Sequence, residues 1–90
     1  MGTAIIKIKI MPISPDTDLE AIEEKAKEII SKDTPSQIQS EQEPIAFGLK
    51  AIILTFTWDE DKSLDDMEEA LRAIENVNSS EVIDMRRAFG

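Results

Sequence analysis

Residues 45–58 read I-A-F-G-L-K-A-I-I-L-T-F-T-W, a run rich in β-branched and aromatic residues that fit a pleated, half-buried surface. From Ile52 onward the phase is plain. Ile52, Leu54, Phe56 and Trp58 alternate with Thr55 and Thr57, so the first set points into a core and the threonines point to water. Carried back unbroken, this strand runs from Ile45 and leaves Phe47 and Leu49 on the opposite, open face of the sheet. Gly48 allows a second reading, in which a bulge switches the phase and buries Phe47.

The flanking segments supply partners for this strand. Upstream, T-A-I-I-K-I-K-I-M at 3–11 sets Ile6, Ile8 and Ile10 in one phase and Lys7 and Lys9 in the other, a half-buried strand that Pro12 and Pro15 stop. Thr17-Asp18-Leu19-Glu20 has the form of a capping box, with Thr17 as the cap. Leu19, Ile22, Ala26, Ile29 and Ile30 then follow at helical spacing until Asp33-Thr34-Pro35. Ser36 to Glu43 is polar and fits a weak edge strand closed by Pro44.

Downstream, Asp59-Glu60-Asp61-Lys62 makes a turn and Ser63 caps a second helix with the stripe Leu64, Met67, Leu71 and Ile74. Asn76 to Ser80 is a turn, and Glu81 to Arg87 a short last strand. The order β-α-β-β-α-β defines an α+β fold of ferredoxin-like type, a four-stranded antiparallel sheet with two helices on one face. The 90 residues form a single domain, 1–90, with an expected stability of roughly 5–13 kcal/mol.

Composition narrows function. The chain has no cysteine, hence no disulfide framework and no thiolate nucleophile, and no histidine, the commonest general base and metal ligand. No stretch approaches the ~20 apolar residues of a membrane span. The net charge of −9 is segregated: residues 16–33 hold seven acids and three bases, and residues 59–76 eight acids and two bases. Lys7, Lys9, Lys50, Arg86 and Arg87 lie outside both helical segments. Solubilised helix surfaces account for the acidity, and the resulting field can still orient an approaching partner. Five bases are too few for a phosphate-binding surface, which argues against nucleic acid.

The acidic turn at 59–66 lacks the glycine of a calcium loop, since its sixth residue is Leu64. Arg86-Arg87 is either a solvated strand end or a cationic pair able to reach a partner's carboxylates or metal site. A ligand-binding regulatory module is the second functional class this fold allows, recognisable by dimerisation and a response to a small molecule. A small acyl-phosphate hydrolase would need an arginine after the first strand, where Pro12-Ile13-Ser14-Pro15 has no base.

Residues 44–51, P-I-A-F-G-L-K-A, closely resemble the signature of the nucleotide-exchange domain of translation elongation factor 1-beta. K-I-K-I-M-P-I-S-P-D-T-D-L-E at 7–20 and S-S-E-V-I-D-M-R-R at 79–87 agree with it. The resemblance covers nearly the whole chain. Its free-standing length is similar to the archaeal form, whereas eukaryotic relatives carry further N-terminal regions.

With no membrane-length stretch, and with Met1-Gly2-Thr3 leading directly into a strand without a basic or apolar leader, the expectation is a soluble, cytoplasmic protein, a monomer without cofactor or metal. The resemblance implies a ferredoxin-like fold that acts by binding and not by catalysis. It implies one partner, the GTPase elongation factor 1-alpha, from which the domain releases GDP so that GTP can reload. Phe47 is the implied contact aromatic, with Lys50 in the same segment. A basic residue near the C-terminus, lysine in eukaryotic forms, is implied to reach the partner's magnesium region. The matching position here is Arg87, with Arg86 beside it.

Overall fold

Strand β1 (Thr3–Pro12) alternates buried and partly exposed residues, with Ala4, Ile6, Ile8 and Ile10 inside, as half-burial of a strand demands. The computed structural model describes residues 2–32, 34 and 37–88. After β1 come α1 (Leu19–Ser31), β2 (Gln39–Pro44), β3 (Lys50–Asp59), α2 (Asp65–Arg72) and β4 (Val77–Ala88). The strands form one sheet in the order β2-β3-β1-β4, each neighbour antiparallel. This is the expected ferredoxin-like α+β arrangement.

The core lies between one sheet face and the two helices. Ile6, Ile8 and Ile10 of β1 and Ile52, Leu54, Phe56 and Trp58 of β3 pack with Ile22, Ala26 and Ile30 of α1 and with Met67, Leu71 and Ile74. Directly paired antiparallel residues share a face. Lys7 and Lys9 of β1 therefore stand on the other, helix-free face beside Thr55 and Ile53 of β3.

Four boundaries differ from the sequence reading. The cap of α1 is Asp18, not Thr17: the Asp18 carboxylate accepts from the Glu20 and Ala21 amides at 3.1 and 3.4 Å. Thr17 is instead within 3.2 Å of the Ser14 hydroxyl. In α2, the Ser63 hydroxyl accepts from the Asp65 amide at 3.1 Å, and Leu64 stands between it and the first helical residue.

Strand β4 begins at Val77, earlier than the expected Glu81, because the backbone of the long central β1 offers pairing sites out to Pro12 whatever the side chains opposite. Asn76, with φ 72°, makes the turn into it. Finally, β3 starts at Lys50 and not at Ile45, for a reason given below. Asp33 and Pro35, two of the three residues expected to end α1, and Ser36, the expected start of β2, lie outside the described residues.

Leu71 has no exposed surface and joins α2 to the sheet. Leu71→Ala should cost about 2–5 kcal/mol, a large part of the total stability of so small a domain. Asp18→Ala should cost about 1 kcal/mol through loss of the cap. Urea unfolding followed by circular dichroism measures both, and equal small effects would contradict the packing described.

Candidate functional site

The segment 45–49 is a tight turn, not the start of a strand. Phe47 has φ 63° and ψ 29°, and Gly48 has φ 77°, so both central residues of the turn from Ala46 to Leu49 are left-handed. The Leu49 amide donates to the Ala46 carbonyl at 3.2 Å, and the Ile45 amide to the Leu49 carbonyl at 2.7 Å. Turns of this kind connect twisted antiparallel strands well, and here β2 and β3 continue the hairpin with Pro44 opposite Lys50.

The turn settles the two readings of Phe47. It neither lies on a sheet face nor enters the core; it projects from the hairpin tip, 93% exposed. Glycine, asparagine or aspartate normally occupies this position: a β-carbon in the left-handed region costs about 1–2 kcal/mol, which glycine avoids and which the local hydrogen bonds of a short asparagine or aspartate side chain offset. An aromatic residue thus stands where folding alone would select against it. Lys50, exposed at the start of β3, shares this pole of the molecule.

The two arginines occupy the other pole, and they face opposite sides of the sheet. Register places Val82 opposite Ile8 and Asp84 opposite Lys7, leaving Ile83 as an extra residue in a β-bulge. Beyond it Arg86 pairs with Ile5 on the helix-free face, and Arg87 pairs with the core residue Ala4. Arg86 Nε lies 3.1 Å from the Asp84 carboxylate. Arg87 Nε donates to Glu60 Oε1 at 2.8 Å, while the side chain stays 82% exposed.

Arg87 borders a cleft of about 440 Å³ between the sheet end and the β3–α2 turn. Ala4, Ile6, Trp58, Leu64 and the half-exposed Met85 line it. The indole of Trp58 donates to the Lys62 carbonyl at 3.2 Å, and the Lys62 ammonium stands 5.7 Å from the ring centroid.

Phe47 and Lys50 therefore lie together at one end, and Arg86 and Arg87 together at the other. Ile10 pairs with Ile52, two residues from Lys50, and Ala4 pairs with Arg87, so Lys50 and Arg87 stand about 26 Å apart along the sheet at ~3.3 Å per residue. Sequence reasoning missed Glu60, taken there as one acid of a solvated turn. Its partner Arg87 is 27 positions away in the chain, and no local pattern announces such a contact.

The fold is thus a two-layer α+β domain with an exposed aromatic at one pole and an exposed cation at the other. Residues 5–88 match the model of the EF-1 guanine nucleotide exchange domain, and the chain belongs to that family, whose work is guanine-nucleotide exchange in translation elongation.

Among its archaeal relatives, elongation factor 1-beta of Methanosarcina barkeri is 42% identical over 88 residues, covering 97% of this chain and 99% of that one. The Methanothermobacter thermautotrophicus protein of the same name is 41% identical, covering 97% and 98%. That of Methanococcus maripaludis strain C6 is 38% identical, covering 94% and 97%. The fold alone is shared with a solved de novo designed protein, Foldit4, with a TM-score of 0.64 at 15% identity over 98% of both chains.

Phe47→Asn should place a residue suited to the left-handed region in the turn. It should leave the fold intact and raise unfolding free energy by about 1 kcal/mol. Denaturant titration checks this, and a clear loss of stability would mean that Phe47 packs on the fold.

Proposed function

We propose that this chain promotes release of GDP from elongation factor 1-alpha so that GTP can rebind, and that it does so by binding, with no chemistry of its own. The observation that carries this reading is the fully presented Phe47, held on a strained hairpin tip inside the segment most similar to the exchange-domain signature. An exposed aromatic on a rigid turn is a docking anchor, since it offers large contact area and loses little side-chain freedom on binding.

The thermodynamics follow from linkage. A factor that weakens the GTPase's grip on nucleotide is itself held less tightly by the loaded form, by the same factor. A thousandfold faster release requires about 4 kcal/mol off the dissociation barrier. Magnesium and the phosphates it bridges hold much of the nucleotide's binding energy in such proteins.

A cation delivered to that region competes for the same oxygens, and the Arg87 guanidinium is the candidate. Phe47 and Lys50 anchor one pole while Arg87, with Arg86 beside it, acts from the other. The partner then spans the ~26 Å between them, a reach ordinary for a standard-sized interface.

Release of fluorescent GDP from the purified cognate GTPase tests the reading. Arg87→Ala should lower the maximal rate at saturating protein more than tenfold while changing the half-saturating concentration little. Phe47→Ala should do the reverse, raising the half-saturating concentration by about tenfold or more. No acceleration by the parent protein, or equal losses in both parameters for Arg87→Ala, would overturn it.

A further inference from the structure

The β3–α2 turn that carries Glu60 is tied by several hydrogen bonds. Its amide donates to the Gly2 carbonyl at 3.0 Å, the Asp61 amide donates to Asp59 Oδ1 at 3.0 Å, and the Lys62 amide donates to the Asp59 carbonyl at 3.0 Å. The Trp58 indole closes the same turn from below through the Lys62 carbonyl. The Glu60 side chain is 28% exposed, against 82% for that of the arginine it holds.

Gly2 makes room for that carboxylate. A β-carbon built at Gly2 would collide with Glu60 Oε2. Three chain segments thus converge on one carboxylate: the lead into β1 beside it, its own turn beneath it, and the end of β4 above it. The hydrogen bond to Arg87 runs through the inner Nε, which leaves the terminal nitrogens of the planar fork directed outward.

Resting on the exchange reading given above, we infer that Glu60 is a positioning residue: it fixes the Arg87 guanidinium in an outward pose before the partner arrives, and Gly2 keeps the seat for its carboxylate open. An arginine side chain carries considerable rotamer freedom. Holding its stem at Nε removes part of that loss from the step in which the terminal nitrogens meet anionic oxygens. The benefit falls on the rate of the bound complex and not on its formation, because the anchor at Phe47 lies at the far pole. Lysine at position 87 would spend its single charged group on Glu60, so the device suits arginine.

The test uses the full chain and the fluorescent-GDP release assay. Glu60→Ala should lower the maximal rate about fivefold, as loss of roughly half the rotamer freedom requires, with the half-saturating concentration unchanged within about twofold. It should cause no further loss in an Arg87→Ala background. Gly2→Ala, whose methyl meets only the end of the Glu60 side chain and no backbone, should act in the same direction with the melting profile preserved.

In nitrogen-15 spectra the Arg87 Nε–H signal, slow to exchange with water in the parent, should exchange faster in Glu60→Ala. If Arg87→Ala abolishes acceleration but Glu60→Ala leaves the maximal rate unchanged, the positioning role is wrong and the exchange reading stands. If the Glu60→Ala loss persists in full without Arg87, Glu60 acts on something else. Should Arg87→Ala itself have no effect, both ideas fall together.

Discussion

Strand β1 is paired along both edges, with β3 on one side and β4 on the other, and nearly every other feature is set by that constraint. Its backbone groups find partners on both sides, so neither edge is left exposed. Its alternation sends Ile6, Ile8 and Ile10 to the helices and Lys7 and Lys9 to the opposite face. Because β3 and β4 both run antiparallel to it, the hairpin tip at 46–49 and the end of β4 fall at opposite poles. Any surface that uses both must follow the long axis of the sheet.

The hairpin tip holds a residue that the fold itself does not favour. Phe47 contributes nothing to the core, and its left-handed backbone costs stability that asparagine or glycine would not. The conformation persists because Gly48 follows it and the flanking strands fix both ends of the turn. Nothing within the fold accounts for an aromatic at this position, since the residue is 93% exposed.

The opposite pole works differently. There a one-residue bulge at Ile83 decides which arginine faces which side. Continued alternation from the core-facing Val82 would have put Arg86 beside Ala4 and Arg87 on the helix-free face. The bulge exchanges them, and so gives Arg87 the buttress of Glu60 and leaves Arg86 to Asp84. Electrostatics follow topology at this point: the acids of the 59–62 turn stand among the residues around Arg87 because β3 ends where β4 does.

Element order, the helix-facing residues of β1 and β3, and the apolar stripes of both helices were legible in the sequence, because side-chain period alone specifies them. The 44–51 segment also carried the family resemblance. The same segment misled as to structure: Ile45, Ala46, Phe47 and Leu49 have strand-like composition, yet the chain turns there, since positive φ at Gly48 and the hairpin closure outweigh local preference.

The length of β4, the facing of Arg86 and Arg87, and the seat of Glu60 between Gly2 and Arg87 were decided only by tertiary structure. Each depends on register against β1 or on a contact across the sheet. Those are energies of residues far apart in the chain, and no local pattern encodes them.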